Sequence, residues 1–286
     1  MRKCLVTGSQ GFIGRHFVRR LRELDYDPVP ADDLIRSDSR ASALEKLGSL
    51  KVFHFAGAVG VGESWAEPAW FIESNVLGTS RVLEFCSRTG GQLIFPSSPI
   101  DRSTKAPATT TKNSANPYLL SKRLAEQTCE FFEKSYGLNI VVLRLFNVYG
   151  PGQSARFLIP QLIKQLLEHD CVSVQNLSSV RDYIYIDDII EALTSLLKKS
   201  SSFSGVFDIG TGIGTTVQSL ITTLGNIHSR PYRIECEQTR EPERVASSIA
   251  DTSMSRSALK WEPRVSLREG LQKTYLHTTK NQKTLS

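Results

Sequence analysis

Three features of this 286-residue chain predict a doubly wound α/β fold with a smaller C-terminal lobe. The first is Thr7-Gly8-Ser9-Gln10-Gly11-Phe12-Ile13-Gly14, which follows the short apolar strand Cys4-Leu5-Val6 and opens a helix. Glycines at this spacing turn the backbone sharply, admit a pyrophosphate closely and let the helix pack on the strand. The second is a steady alternation of strand and helix patterns through the first half. Such alternation belongs to a parallel sheet covered by helices on both faces. The third is the acidic pair Asp32-Asp33, about twenty residues past the glycines, where a ribose-binding carboxylate belongs. Together they predict a Rossmann-type sheet that takes a dinucleotide at its first turn.

Each element has a local cause. The helix after Gly14 carries Ile13, Phe17, Val18, Leu21 and Leu24 on one apolar face, as a crossover helix does. Strands are expected near 28–31, at 52–55 ending in Ala56-Gly57, at 93–95 and at 140–145. Residues 71–87 and 118–136 read as helices, the second closed by Gly137. Beyond Gly150 the pattern changes. Pro151-Gly152 interrupts it, then a helix over 159–168 and a strand over 183–186 follow. Asp187 or Asp188 is placed to cap the next helix. Residues 206–209 are the expected last strand of the main sheet.

The expected domains are therefore 1–150, with 177–210 returning to it, and a substrate lobe of 151–176 and 211–286. The polar tail from Thr278 is expected to fray. Residues 103–116, rich in Ser, Thr and Pro and without periodicity, read as either a lid or a disordered loop.

Composition narrows the function classes. With 40% hydrophobic and 22% charged residues, the chain can build a core without disulfides. No apolar run is long enough to span a bilayer, so no membrane role is expected. Met1 stands just before the first strand, so no secretory leader is expected. The five scattered cysteines suit reduced thiols, and the expected location is cytoplasmic. The net charge of +6 comes from dispersed Lys and Arg, with no block of like charges. That pattern gives a generally positive surface rather than a nucleic-acid footprint. The five histidines lack ligand spacing, so no metal site is expected, and His54 on its apolar strand reads as a core residue.

The chemistry is carried by Tyr118-Leu119-Leu120-Ser121-Lys122, where Tyr and Lys share one helix face. A free tyrosine is a poor base at neutral pH. A nearby ammonium favours the phenolate, and a phenol so tuned can take a proton from a hydroxyl as hydride leaves the same carbon. The pair starts the helix after the strand ending at Ser97-Ser98, and strand ends are where such sheets bind ligands.

These motifs resemble the extended short-chain dehydrogenase/reductase family, in its nucleotide-sugar epimerase and dehydratase branch. The resemblance rests on the glycine run, His54-Phe55-Ala56-Gly57, Asn75-Val76-Leu77-Gly78-Thr79, Ser97-Ser98 and Tyr118 to Lys122. It continues through Arg144-Leu145-Phe146-Asn147-Val148-Tyr149-Gly150-Pro151-Gly152 and Arg181-Asp182-Tyr183-Ile184-Tyr185-Ile186-Asp187-Asp188. Gly62-Glu63-Ser64 also resembles UDP-galactose 4-epimerases.

The resemblance implies roles position by position. Gly8, Gly11 and Gly14 hold the pyrophosphate, with Gln10, Phe12 and Ile13 of the same turn also on the cofactor. Asp32 or Asp33 meets its adenosine end, Ala56 and Gly57 pass beneath it, and Asn75 lines its site. Ser98, with Ser97 as the less favoured register, orients the sugar oxygen. Tyr118 is the acid/base, and Lys122 bonds the nicotinamide ribose and tunes it. Asn147, Arg181 and Arg240 contact a nucleotide-diphosphate sugar, the arginines near its diphosphate. The implied cofactor is NAD, because an acid after the second strand repels a 2′-phosphate. Arg36 and Arg40 keep NADP open. A homodimer through the helices 71–87 and 118–136 is also implied.

Departures sharpen the reading. Ser9 replaces a usual glycine, and the segment before Val52 is short, so Asp33-Leu34 stands in for the missing adenine loop. Pro99-Ile100 follows Ser98 where sugar 4,6-dehydratases carry an Asp-Glu pair, which speaks against dehydration. The expected activity is a nucleotide-sugar 4-epimerase, like UDP-glucose 4-epimerases. The alternatives are a 4-keto-6-deoxysugar reductase and, from another class, a non-catalytic sensor.

Overall fold

The computed structural model describes residues 2–36, 41–99, 116–236 and 247–285. From the N-terminus, β1 (Arg2–Thr7) leads into α1 (Phe12–Glu23), β2 (Tyr26–Pro30), α2 (Asp33–Arg36) and α3 (Ala41–Glu45). Next come β3 (Lys51–His54), α4 (Val61–Ala66), α5 (Pro68–Ile72), a π-helical turn (Glu73–Leu77) and α6 (Gly78–Thr89). β4 (Gln92–Ser97), α7 (Pro117–Tyr136) and β5 (Ile140–Leu145) complete this half. The second half holds β6 (Asn147–Tyr149), α8 (Leu158–Glu168), β7 (Cys171–Val174), β8 (Val180–Tyr185) and α9 (Ile186–Ser195). β9 (Gly205–Ile209), β10 (Gly214–Thr216), α10 (Val217–His228), β11 (Arg233–Cys236), β12 (Ser247–Ser248), α11 (Ser253–Leu259) and α12 (Leu267–Leu285) follow.

The chain forms two compact units: Met1–Leu145 with Leu193–Asp208, and Phe146–Ala192 with Ile209–Ser286. The first is built on a six-stranded parallel sheet of order β2-β1-β3-β4-β5-β9. The order reverses at β1, which pairs β2 on one side and β3 on the other. Ligands bind such sheets at the carboxyl ends of the strands beside that switch.

Strand alternation assigns the two faces. Phe53 meets Phe17 of α1, with ring centroids 4.5 Å apart. On the other face Leu5, Val52, Leu93, Phe95 and Val142 pack with Val82 and Phe85 of α6 and with Ala125 and Cys129 of α7. Thr7, His54 and Ser97 extend this second row toward the carboxyl edge, which places polar groups where the site is expected.

In the second unit β8 pairs with β6, β10 and β12, and β7 pairs with β11. The segment returning to the first unit is Leu193–Asp208, because β8 takes all three of these partners inside the second. Asp187 and Asp188 lie inside the first turn of α9 rather than capping it. The Asp188 carboxylate instead accepts from the Arg264 and Val265 N–H groups at 2.9 and 3.1 Å. The tail does not fray at Thr278. α12 runs on to Leu285, anchored by the buried Leu271 and Thr274. The segment 103–116, expected to be either a lid or a disordered loop, lies outside the described residues except for Asn116.

Candidate active site

The glycine turn is shaped by close approaches. Gly8 has φ +63°, and a Cβ there would stand 2.5 Å from the Ala56 nitrogen. A Cβ on Gly14 would overlap the Gly8 carbonyl oxygen. The turn closes with Gly11 N–H donating to Gly8 O at 2.9 Å. Gly11 caps α1 without a side-chain hydrogen bond, and no acid occupies the first turn. The amides of Phe12, Ile13 and Gly14 therefore open the 12-residue helix without a side-chain cap, as anion-binding helices do. Gln10 is exposed beside them, and Phe12 and Ile13 are half-buried.

The acidic pair divides its roles. Asp32 Oδ1 accepts from the Gly8 N–H at 2.5 Å, which ties the end of β2 to the glycine turn. Asp33 is the first residue of α2, a position the helix dipole favours for an acid. Leu34 does not replace an adenine loop. It is buried in the core with Ala31, Val82 and Leu83, because the short segment is drawn down by its apolar residues.

Ser98 and Tyr118 meet at the opposite side of β1. Their hydroxyl oxygens are 2.5 Å apart. Ser97, one residue earlier, faces the other way along the strand's alternation, and its buried hydroxyl has no hydrogen-bond partner. Tyr118 is held at the start of α7, where Asn116 Oδ1 accepts from the Leu119 N–H at 2.9 Å. Pro117 fills the first helical position, its missing N–H costing nothing there. Phe71 packs edge-on against the phenol at 6.1 Å.

Lys122 lies one turn on. Its Nζ donates to the Pro96 carbonyl at 2.7 Å and stands 4.4 Å from the Phe95 ring centroid. Burial lowers its pKa to about 8, with Glu126 pulling the other way. Glu126 in turn accepts from Arg144 of β5, Oε2 to Nη2 at 2.7 Å. The sequence predicts a Tyr118 phenol lowered by this ammonium. In the protein alone burial dominates and pushes the phenol up, and the Ser98 hydrogen bond works against that rise. The lysine serves the Pro96 carbonyl rather than the phenol.

Asn75, expected to line the cofactor site, is buried and held by protein hydrogen bonds. Its Oδ1 accepts from Ala58 N–H at 2.8 Å, and its Nδ2 donates to Ala58 O at 3.0 Å and Ser121 Oγ at 2.8 Å. It thus clamps the loop after Ala56 and Gly57 onto α7. Gly57 leaves room for it, since a Cβ there would stand 2.7 Å from Asn75 Oδ1.

The expected sugar-nucleotide residues belong to the second unit. Asn147 of β6 is exposed and donates to the Asp182 carbonyl at 3.0 Å. Arg181 lies on the neighbouring β8 and donates to the Val180 carbonyl at 2.9 Å. Arg240 lies outside the described residues. Sequence reasoning missed Asp182. Its fully buried carboxylate accepts from the N–H groups of Thr211, Gly212 and Ala250 and from the Thr211 hydroxyl. Its signal was an acid followed by the apolar run Tyr183-Ile184-Tyr185 of a buried strand. Among the described residues no cluster of His, Cys, Asp or Glu is arranged to hold a metal, and no helix is long and apolar enough to cross a membrane.

Comparison with known proteins gives the family. The model of the NAD dependent epimerase/dehydratase family matches residues 4–210. A UDP-glucose 4-epimerase of Rhizobium meliloti is 28% identical, covering 92% of this chain and 93% of its own. A GDP-6-deoxy-D-mannose reductase of Pseudomonas aeruginosa is 26% identical, covering 94% of each. Among solved structures, UDP-glucose 4-epimerase of Thermotoga maritima with UDP-glucose superposes with a TM-score of 0.85. It is 30% identical over 99% of this chain and 100% of that one. The chain is therefore an enzyme of the NAD dependent epimerase/dehydratase family, within its sugar-nucleotide epimerases and reductases.

Proposed function

We propose that this enzyme is an NAD-dependent 4-epimerase of a nucleotide-diphosphate sugar, of the UDP-glucose 4-epimerase kind. The observation that carries the reading is the 2.5 Å contact between Ser98 and Tyr118, with Lys122 one helical turn on. The residues fit the cofactor. The glycine turn is drawn tight by backbone approaches that a Cβ would block, the uncapped helix start suits a pyrophosphate, and Asp32 suits a ribose and opposes a 2′-phosphate. When bound, NAD supplies the acceptor and donor of hydride at C4.

The chain's own groups handle the proton and the oxygen. Ser98 orients the 4-oxygen and passes its hydrogen bond to Tyr118. Tyr118 takes the 4-hydroxyl proton and later returns it. Its starting pKa, raised by burial, falls when a cationic ring is placed beside it. Lys122, held by Pro96 one helical turn on, stays largely protonated at neutral pH because its pKa is lowered only to about 8. Asn147 and Arg181 are the proposed contacts of the sugar nucleotide, joined by Arg240. A homodimer through α6 and α7 is part of the same reading, supported by the exposed Leu77, Phe131 and Tyr136.

The similarity to the GDP-6-deoxy-D-mannose reductase and the short segment between β2 and β3 favour a second reading, a 4-keto sugar reductase. Purified enzyme incubated with UDP-galactose separates the two. The epimerase reading expects UDP-glucose to accumulate without added cofactor or with catalytic NAD. Stoichiometric NADPH consumption with a 4-keto-6-deoxy sugar, and no interconversion, overturns it.

A further inference from the structure

His54 is a buried histidine that the proposed reaction does not use. It is 1% exposed, and the sequence alone reads it as a core residue. The parallel register of β1 and β3 sets it beside Thr7. Its Nδ1 is 2.7 Å from Thr7 Oγ and its Nε2 is 3.1 Å from Thr79 Oγ. Thr79 Oγ donates to the Asn75 carbonyl at 2.6 Å. It has given its only proton, so it accepts from His54, which makes Nε2 the protonated ring nitrogen. Thr7 Oγ already accepts the Ala56 N–H at 3.2 Å, leaving its proton for Nδ1. Neutral His54 satisfies every partner, and burial holds it neutral, its pKa pulled down to about 3.

The line continues past Asn75. The Asn75 amide donates to Ser121 Oγ at 2.8 Å, and Ser121 Oγ donates to the Tyr118 carbonyl at 2.8 Å. Thr7, His54, Thr79, Asn75 and Ser121 are all at most 3% exposed. Two buried hydrogen-bonded stretches thus meet at Asn75, one on its backbone carbonyl and one on its side-chain amide, and joined through that residue's covalent frame they run from the strand that enters the glycine turn to the backbone of the acid/base tyrosine. They cross the π-helical turn Glu73–Leu77, a distortion that α-helices keep at functional sites despite its cost. Satisfied buried networks are rigid, and an interrupted one leaves polar groups without partners.

We infer that His54, Thr79 and Ser121 are positioning residues, whose hydrogen-bonded line fixes where Tyr118 stands relative to the cofactor turn. The inference rests on the reading of Tyr118 as the acid/base. It gives the histidine a task that an apolar residue of equal volume cannot perform.

The test uses Thr79→Val, Ser121→Ala and their combination in the full-length enzyme, with NAD affinity, kcat and KM for UDP-galactose measured separately. The expected result is about a tenfold loss of kcat for each single variant, with NAD affinity within twofold of the parent. The double variant loses no more than the worse single one, because either break opens the same line. Unchanged kcat in both single variants, or losses that multiply in the double, overturns the inference. A merely structural role lowers Tm without this split.

Nitrogen NMR of His54 supplies a readout that needs no turnover. The parent is expected to show the Nε2–H tautomer, and Ser121→Ala is expected to shift the ring signals although it touches neither nitrogen. An Nδ1–H tautomer, or a ring blind to Ser121→Ala, contradicts the line. A parent that leaves UDP-galactose unchanged contradicts the proposed activity instead.

Discussion

Burial governs the titrating groups around Tyr118, and His54 shows the consequence for stability. The unfolded chain binds a proton at His54 below its ordinary value of 6.5, whereas the folded chain resists until about 3. The histidine therefore favours the folded state above pH 6.5, and that contribution is lost as the pH falls toward 3. The slope is about 1.4 kcal/mol per pH unit in that window. Urea unfolding of the parent and of His54→Gln between pH 6 and 4.5 is expected to differ in slope by nearly that amount. Parallel curves contradict a neutral buried histidine. The sequence made His54 legible as a core residue but hid its partners. Which residues meet it depends on the register of β1 with β3 and on the phase of α6, neither of which periodicity reveals.

At the scale of elements, short strands with apolar alternation and helices with one apolar stripe were readable within a few residues. β5 and the C-terminal glycine of α7 fall where periodicity puts them. The π-helical turn was not readable, because the residue it buries is the polar Asn75 and no apolar position marks the shifted phase. The end of α12 was misread because its polar composition hides the buried Leu271 and Thr274 that hold it. The glycine turn is the element most exposed to substitution. In Gly14→Ala the new methyl overlaps the Gly8 carbonyl, so strand and helix must part. NAD affinity is expected to fall at least tenfold, about 1.4 kcal/mol, in a calorimetric titration. Retained affinity contradicts the close packing of that turn.

For the whole molecule, the family and the parallel sheet followed from many motifs in order, but the unit boundaries did not. Whether 177–192 joins the first or second unit depends on the partners of β8, a long-range choice with no local signature. In the proposed dimer the exposed Leu77 of the π turn and the exposed Phe131 of α7 supply the apolar contact. Sedimentation is expected to give twice the chain mass for the parent and the chain mass for Leu77→Glu with Phe131→Glu. A monomeric parent refutes the dimer.

The central claim is that Tyr118, joined to Ser98, moves the proton as the sugar is oxidised and reduced. Its most direct measurement is kcat for UDP-galactose interconversion in Tyr118→Phe, beside NAD affinity in the same preparation. The account predicts at least a hundredfold loss of kcat, the scale of a lost general acid/base, with NAD affinity within about threefold. Turnover near that of the parent, in a variant that still binds NAD, contradicts it.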